Sequence, residues 1–387
     1  MSAHFSNVRP DKKNPFKTSA HGSSKFQPLP PPTGKKPFRL KLEAILGNHL
    51  NTNKMVFHTV GDTGPIKNPN PQKIVTDKME AQFKNVSGKE DKPLFFYHLG
   101  DVVYFYGKES EYNNQFFDPY MYYPAPIFAI PGNHDGDIDP TDTNPPVSLA
   151  AFVKVFCDTK PNKLAIAGDS VRTSMIQPNV YWTLQTSLAN IIGLYTNVPE
   201  YGEIKNDQRD WFIGELKNAQ TERKEKAAII ALHHPLYSID RHHGASGKMK
   251  EFLENIFNDT GIIPDLILTG HVHNFQRFTR NFNNGRQLPI IVAGAGGYHN
   301  LHYVDSKSDP VYVPNSSFFK DVTMEEFCDD RYGFLRITIE RSGKERKLTG
   351  EYFTVPRLHE SWRSPAVLYD YFELNLDNGK LTNTKLH

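Results

Sequence analysis

The sequence predicts a mixed α/β fold in one large domain that runs from about residue 51 to residue 387. Short apolar runs without alternation recur along the chain, as expected for strands that are covered on both faces of a sheet. Segments with helical spacing lie between several of these runs, which is typical of strand–helix units. Near the C-terminal end, two segments alternate between apolar and polar residues and indicate an antiparallel hairpin.

The apolar runs predict buried strands, which in chain order cover residues 54–60, 93–99, 125–130, 227–232, 265–269 and 289–292. Further strand patterns cover residues 180–184 and 190–195 as a pair, and residues 332–340 and 347–353 as the hairpin. Helices are predicted around residues 73–85, near 148–156 and over 207–223. In the last helix, Trp211, Phe212 and Leu216 form one apolar stripe.

Two segments fall outside this pattern. Residues 1–50 carry nine Lys or Arg against two acidic residues, together with a proline run. We therefore predict an N-terminal extension that is disordered or lies as an arm on the domain. Residues 136–175 form a long Pro- and Asp-rich insertion, and such excursions are often lids or specificity loops.

The composition narrows the function classes. A net charge of +2 gives no general reason to expect a nucleic-acid partner. No apolar run approaches the roughly 20 residues of a transmembrane segment. The N-terminus lacks the apolar core of a signal peptide, which favours the cytoplasm. The two cysteines, Cys157 and Cys328, form one disulfide bond or none.

Five of the buried strands end at small groups of polar residues beside a glycine or a proline. In open α/β sheets the binding site lies beyond the carboxyl ends of the strands, so we expect these side chains to converge. They are Asp62, Asp101, Tyr104, Asn133, His134, His233, His271 and His273. Most of these residues, taken singly, would be turn, core or surface residues, and their joint occurrence after five strands is what indicates a site.

The residue types indicate metal chemistry. Carboxylates, an amide oxygen and several imidazoles make a mixed nitrogen and oxygen ligand set for transition metals. Two such ions about 3.5–4 Å apart can bind a phosphoryl oxygen, generate hydroxide from water and stabilise charge in an in-line displacement. A histidine beside them that binds no metal can protonate the leaving oxygen.

The order of the motifs is Asp-x-Gly, Gly-Asp-x-x-Tyr, Gly-Asn-His-Asp, His-x-Pro and Gly-His-x-His, and it resembles the calcineurin-like metallophosphoesterases, within them the purple acid phosphatases. The wider superfamily usually opens with Asp-x-His, whereas this chain has Gly64 two residues after Asp62 and carries Tyr104 in the second motif. Both departures are features of the purple branch. The resemblance runs from about Met55 to Gly297. It implies a four-layer α/β sandwich, in which helices flank two mixed β-sheets.

By resemblance, two ions would share one set of ligands. The ligands of a ferric ion would be Asp62, Tyr104 and His273. The ligands of a divalent ion, which could be iron, zinc or manganese, would be Asn133, His233 and His271. Asp101 would bridge the two ions, and His234 is predicted to bind neither.

The resemblance also implies the groups that act on the substrate. His134 would contact the phosphate or act as an acid, with Asp135 orienting it, and Asn133 would lie at the substrate. A further family histidine follows the His-x-Pro motif, and His242 and His243 compete for that place. We choose His243 as the catalytic and substrate-binding residue, because it precedes a glycine. The family often follows Gly-His-x-His with Ala-Tyr-Glu-Arg, whereas here Gln276 replaces the glutamate.

The activity implied is that of an acid phosphatase-like phosphoric monoester hydrolase, in which metal hydroxide attacks phosphorus in a small phosphorylated substrate. A phosphodiesterase or nucleotide hydrolase that uses the same metals is the first alternative. A non-catalytic metal-binding or scaffold protein is the second. Many relatives of this type are secreted, which keeps secretion open beside the cytoplasm.

Overall fold

Two large mixed β-sheets form most of the chain that the computed structural model describes, which is residues 16–17, 28–47, 50–84, 86, 88–139, 141–197, 203–240, 242–304 and 316–383. The strands are β1 (Phe16–Lys17), β2 (Arg39–Lys41), β3 (Lys54–Val60), β4 (Phe96–His98), β5 (Ile127–Ala129), β6 (Trp182–Gln185), β7 (Ala189–Gly193), β8 (Ala227–Ala231), β9 (Ala245–Ser246), β10 (Leu266–Thr269), β11 (Phe275–Asn281), β12 (Gln287–Ala293), β13 (Val322–Cys328), β14 (Gly333–Ser342), β15 (Glu345–Thr354), β16 (Val367–Asn375) and β17 (Lys380–Asn383). The helices are α1 (Glu43–Leu46), α2 (Asn70–Ala81), α3 (Asn133–Gly136), α4 (Ala150–Phe156), α5 (Asn206–Thr221) and α6 (Gly247–Thr260), with shorter helical turns at Lys89–Asp91, Glu109–Glu111, Asn113–Phe117 and Ala165–Ala167.

The first sheet has seven strands in the order β17-β16-β15-β14-β3-β4-β5. Strands β3, β4 and β5 are parallel, and β14 lies antiparallel beside β3. Residues 55–60 of β3 are all buried, because the strand is covered on both faces. The carboxyl ends of the three parallel strands therefore lie together at one edge, where the first three polar motifs follow.

The second sheet has eight strands in the order β13-β11-β12-β10-β8-β7-β6-β2. Its centre is parallel, since β10 pairs in the same direction with β8 and with β12, and β8 does so with β7. Strands β8 and β10 are buried throughout and are followed by the two histidine motifs. A separate two-stranded pairing joins β1 to β9.

Aromatic side chains join the inner faces of the two sheets. Phe275 of the second sheet stacks on Tyr352 of the first, with ring centroids 3.9 Å apart. Trp182 of the second sheet lies 6.0 Å from Tyr97 and 5.6 Å from Phe128, which belong to the first. Helix α5 contacts β7 and β8, while α2 contacts β14, so the helices flank the sheets. The predicted fold class, two mixed sheets flanked by helices, is thus confirmed.

The predicted elements agree closely with the observed ones. The first strand has the predicted bounds, and the predicted strand pair and hairpin are the antiparallel pairs β6–β7 and β14–β15. Helix α2 begins three residues before the predicted range, at Asn70, because Pro71 suits the first turn of a helix. The helix predicted in the insertion is α4, and the helix with the Trp211 stripe is α5.

Several elements were missing from the sequence prediction. The longer ones are helix α6 and strands β11, β13, β16 and β17, and the short ones are strands β1, β2 and β9 and helices α1 and α3. Helix α6 does carry a readable pattern, since Met249, Leu253, Ile256 and Phe257 are buried on one face and the Ser246 hydroxyl accepts the amide of Met249. Strand β11 follows directly on the second histidine motif, and its polar residues hide a strand that is buried over its first five positions.

Part of the N-terminal extension lies on the domain. Strand β2 pairs in parallel with β6 at the edge of the second sheet. Arg39 of β2 donates two side-chain hydrogen bonds from Nε and one from Nη2, at 2.8 to 3.1 Å, to the carboxylate of Glu215 in α5. The division of the chain at residue 50 stays a prediction.

Cys157 and Cys328 are both buried and both free. A long apolar helix of the kind that crosses a membrane does not occur in the described part of the chain.

Candidate metal centre

The predicted site residues come together between the two sheets. Asp62, Asp101, Tyr104, Asn133 and His134 follow β3, β4 and β5 of the first sheet. His233, His271 and His273 follow β8 and β10 of the second sheet. The contacts among them form two groups, which share Asp101.

The first group is Asp62, Tyr104 and His273, the residues predicted to bind a ferric ion. The Tyr104 hydroxyl donates to Asp62 Oδ1 over 3.3 Å and lies 3.2 Å from His273 Nε2. His273 Nε2 lies 3.6 Å from the same Asp62 oxygen. All three side chains are buried. Three donor atoms of different chemistry therefore face one point.

The second group is Asn133, His233 and His271, the residues predicted to bind a divalent ion. Asn133 Oδ1 lies 3.1 Å from His233 Nε2 and 3.0 Å from His271 Nδ1. His233 Nδ1 lies 2.8 Å from the carbonyl oxygen of Leu99, which leaves Nε2 directed at the group. Asp101 joins it, because its Oδ2 lies 3.4 Å from His233 Nε2. Ligand atoms of Asp101, His233 and His271 all lie within 4.8 Å of one another.

Asp101 lies between the two groups. Its other oxygen, Oδ1, accepts the backbone N–H of His134 over 2.9 Å. Its charge acts on the first group too, since burial raises the pKa of Tyr104 well above its ordinary value and the Asp101 charge raises it further. The position agrees with the bridging role that the resemblance implies.

Asp135 supports the loop that carries Asp101. Its carboxylate accepts the backbone amides of Val102, Val103 and Gly132 at 2.8 to 3.2 Å. These bonds join the loop after β4 to the loop after β5. Asp135 was predicted to orient His134, and the bonds that the structure gives its carboxylate act on the backbone around that residue instead of on the imidazole.

The ligand loops have unusual backbone geometry. Asp62, Asp101 and His271 have φ angles of 58°, 53° and 68°, a left-handed region that costs free energy in residues with a Cβ. Gly132 is required for the close approach of the two loops, because a Cβ there would collide with the Asp101 carboxylate. Strain of this kind persists where the surrounding structure holds each ligand in one orientation.

Burial and mutual interaction shift the pKa values of the groups in the centre. Burial raises the pKa of Asp62 well above its ordinary value, and the Asp101 charge adds to this. Burial lowers the pKa of His233, but the Asp101 and Asp62 carboxylates and the Leu99 carbonyl together outweigh burial, and the net result is a pKa of about 9. Burial lowers the pKa of His271 and His273 well below the ordinary value, which keeps these imidazoles in the neutral form that binds metals.

The donor set fits metal ions. Two buried carboxylates, a phenol, an amide oxygen and three imidazoles lie 3.0 to 3.6 Å apart in two groups. Bound cations would offset the cost of burying the carboxylates together. The oxygen and nitrogen donors are those that iron, zinc and manganese accept in mixed sites.

The predicted catalytic histidines lie at the rim of the centre. The His134 ring is 4.5 Å from the Tyr104 ring and 5.0 Å from that of Phe105, and its Nδ1 has no hydrogen-bond partner within the described ranges. The His243 ring is 4.3 Å from that of His271. His242 instead lies 4.5 Å from His302. Of the two competing residues, His243 is thus the one whose ring contacts a predicted ligand.

His234 and Gln276 have structural partners. His234 Nδ1 lies 2.5 Å from the Thr196 hydroxyl. The Gln276 amide donates to Ser238 Oγ and to Asn274 Oδ1, both over 3.0 Å, and accepts the amide of Ile239. The glutamine that replaces the family's glutamate therefore ties the loop after β8 to strand β11.

Two residues at the centre were missed from the sequence. Tyr298 packs on Tyr104 and on His273, with ring centroids 4.4 and 4.3 Å away, and His302 stacks on His273 at 4.1 Å. Both follow β12, a buried strand that ends in a glycine-rich stretch like those of the other tips. That shared pattern was the signal that could have identified them.

Comparisons with known proteins agree with this geometry. A family model described as calcineurin-like phosphoesterase matches residues 55–275. Purple acid phosphatase 22 of Arabidopsis thaliana is 29% identical over 126 residues, which cover 31% of this chain and 27% of that protein. Purple acid phosphatase 15 of the same plant is 28% identical over 211 residues, which cover 53% of this chain and 35% of that protein. The chain thus spans about a quarter to a third of the length of these two relatives.

Two solved structures share the fold. One is GAP50, the anchor in the inner membrane complex of Plasmodium, with a TM-score of 0.52 and 17% identity over 84% of this chain and 89% of that chain. The other is PhoD, with a TM-score of 0.52 and 14% identity over 92% of this chain and 73% of that chain. At these identities the likeness concerns the fold alone.

Proposed function

Since the chain belongs to the calcineurin-like phosphoesterase family, we propose that it hydrolyses phosphate monoesters at a dinuclear Fe(III)–M(II) centre. The family model covers more than half of the chain, and the purple acid phosphatase relatives confirm the resemblance that the motifs indicate. The family match does not give the reaction, the substrate class or the metals. The geometry of the site supports the proposal on these three points.

The single observation that carries the proposal is the contact of the Tyr104 phenol with Asp62 and His273. Its oxygen lies 3.3 and 3.2 Å from their donor atoms. A phenolate is a hard anionic donor, which favours a ferric ion, whereas an imidazole and an amide oxygen suit a divalent ion. The two groups differ in this respect, and the difference supports one ion of each kind.

When bound, two adjacent cations supply charge that binds phosphoryl oxygens and lowers the pKa of a water molecule. The chain itself positions the substrate. His134 lies beside Tyr104, and its Nδ1, which is buried and has no hydrogen-bond partner in the described part of the chain, is the atom that would bind a phosphoryl oxygen. His243 lies on the other side, against His271, where it can donate a proton to the leaving alkoxide. Asp135 holds the loop between the two groups of ligands.

The visible spectrum of the oxidised protein tests the metal assignment. We expect a tyrosinate-to-iron charge-transfer band, which Tyr104→Phe abolishes. Tyr298→Phe is the matched control, because that phenol packs 4.4 Å from Tyr104 in the same surroundings and is not a predicted ligand. Iron-loaded protein without the band, or loss of the band in Tyr298→Phe alone, would contradict the proposal.

A second candidate is a phosphodiesterase or nucleotide hydrolase at the same metals. It is favoured by a cavity of about 710 Å³ beside the centre, which is lined by His302, His242 and Arg357 among others. A cavity of this size has room for a second esterified group. Turnover of matched monoesters and diesters separates the two candidates, and a preference for diesters would replace the first by the second.

A further inference from the structure

Asp240 and His302 form a buried pair next to the predicted centre. Asp240 lies in the loop after β8, and His302 in the loop after β12. A backbone bridge between Asp240 and Val304 holds the two loops together. The His302 side chain is 4% exposed and that of Asp240 is fully buried. Both residues line the cavity of about 710 Å³.

Two atoms of this pair lack hydrogen-bond partners in the described part of the chain. Asp240 Oδ2 accepts the backbone amides of His242 and His243, at 2.8 and 2.6 Å, but Oδ1 accepts none. His302 Nδ1 has no partner either, and it lies 3.8 Å from Asp240 Oδ1. Buried polar atoms without a partner are rare in folded proteins, so a pair of them that face each other indicates a ligand.

The spacing and the donors indicate a cation. A separation of 3.8 Å is too long for a hydrogen bond. Zinc–nitrogen and zinc–oxygen bonds are about 2.0 to 2.2 Å long, so two ligands of one ion lie about 3 to 4 Å apart. A buried carboxylate attracts a positive charge, and a carboxylate with an imidazole is a donor set for zinc and similar ions.

We propose that Asp240 and His302 bind a third transition-metal ion, of the Zn²⁺ class, at the edge of the cavity. The site is next to the dinuclear centre, because His302 stacks on His273 at 4.1 Å, and ligand atoms of His243, His273 and His302 lie within 4.8 Å of one another. It is distinct from that centre, since neither residue belongs to the two groups of predicted ligands.

An ion at this place would give the cavity a fixed positive charge. A substrate that carries a second anionic group, such as another phosphate, would then bind with that group at the third ion. This consequence for substrate class rests on the proposed function, whereas binding of the ion does not.

The test is the zinc content of the full chain after loading with Zn²⁺ alone and removal of unbound metal, combined with anomalous scattering from zinc-loaded crystals. We expect three ions in the wild type and two in Asp240→Asn and in His302→Phe, with an anomalous peak between Asp240 Oδ1 and His302 Nδ1. Asparagine keeps an oxygen for the two amides that bind Oδ2, and phenylalanine keeps a ring against His273. The matched control is His242→Phe, which replaces the imidazole on the other face of His302 and keeps three ions.

Two ions in the wild type, or three ions that neither substitution reduces, would overturn the third site. Loss of two or more ions in His302→Phe with an unchanged melting temperature would show that the pair belongs to the dinuclear centre, and this too would overturn it. Failure of the proposed function has a different signature, which is a chain that keeps three ions but hydrolyses no phosphate monoester.

Discussion

The two sheets contribute different chemistry to the same centre. The first sheet provides only oxygen donors, which are Asp62, Asp101, Tyr104 and Asn133. The second sheet provides only nitrogen donors, which are His233, His271 and His273. Each predicted ion site takes ligands from both, so neither sheet could hold either ion by itself. The centre therefore also acts as a link between the sheets.

A second link joins the sheets away from the centre. Arg277 of β11 donates to both carboxylate oxygens of Asp370 in β16, over 2.6 and 2.8 Å, and both side chains are buried. In the sequence, Arg277 resembles the family only as the last residue of the segment that follows Gly-His-x-His. The structure shows that this arginine connects the second sheet to a strand that lies far along the chain.

The sheets also use histidine differently. In the first sheet, His58 of β3 and His98 of β4 are fully buried within strands, and burial lowers the pKa of each to about 3. His58 lies 3.0 Å from the Tyr123 hydroxyl and 3.0 Å from Gln82 Oε1. In the second sheet the histidines predicted to bind metal come after the strands and face the centre. A position beyond the strand end is common to these predicted ligands but does not by itself mark one, since His234 also follows β8 and is not a predicted ligand.

The largest expected effect is on turnover, from removal of one ligand on either sheet. Asn133→Ala takes an oxygen from the first sheet and His233→Ala takes a nitrogen from the second. Each should lower kcat/KM by about 10³-fold or more, since each removes about 4 kcal/mol of transition-state stabilisation. Circular dichroism should show a retained fold.

The control for this pair is His234→Gln, a buried neighbour that contacts Thr196 and should stay within about tenfold of wild-type activity. Retention of activity in Asn133→Ala would show that the first sheet is not needed for catalysis. That result would also favour the alternative that the chain is a non-catalytic metal-binding or scaffold protein.

The second largest expected effect is on stability. It comes from the ion pair between Arg277 and Asp370, which contains no predicted metal ligand. Asp370→Ala should lower the free energy of unfolding by about 3 to 5 kcal/mol, because it removes the carboxylate that pairs with the buried Arg277 guanidinium. Urea denaturation measures the change, and metal content should stay the same. Glu360→Ala is the matched control, since its two-bond pair with Arg331 has similar geometry but is partly exposed, so its removal should lower the free energy of unfolding much less. Equal losses in the two variants would contradict the argument.

The smallest effect is on the pH dependence of stability. The folded pKa of His58 is about 3, below the unfolded value of about 6.5, so the folded state binds fewer protons in this range. The stability from neutral His58 is present above pH 6.5 and is lost as the pH falls towards 3, by about 2 kcal/mol at pH 5. His58→Phe should reduce the loss of stability between pH 7 and pH 5 by that amount, measured by urea denaturation at both pH values. His359→Gln, at an exposed position, should leave the loss unchanged, and an unchanged loss in His58→Phe would refute the assignment.

The strand tips were predictable because each motif is local. A buried apolar run followed by glycine and a polar side chain is readable within about ten residues, and the order of five such tips indicated the centre. The bounds of β3 and the pairing of β14 with β15 were readable for the same reason. In each case all the residues that form the pattern lie within the strand or directly after it.

The rest depends on contacts between distant residues. Asp240 and His302 meet only because the loops after β8 and β12 are bridged, and no local pattern in either loop shows this. Strand β16 has exposed or half-exposed residues at most positions, so its apolar content resembled a surface segment. The bonds from Asp135 to backbone amides could not be predicted either, because backbone amides carry no sequence signal, and its role in orienting His134 stays a prediction.

The place of β14 has a consequence for synthesis of the chain. All predicted ligands precede residue 276, but the strand that pairs with β3 is residues 333–342. A nascent chain that ends between these points carries every ligand, while one edge of β3 has no partner. Pairing at that edge of β3, the strand that leads to Asp62, therefore waits until residues 333–342 have been synthesised.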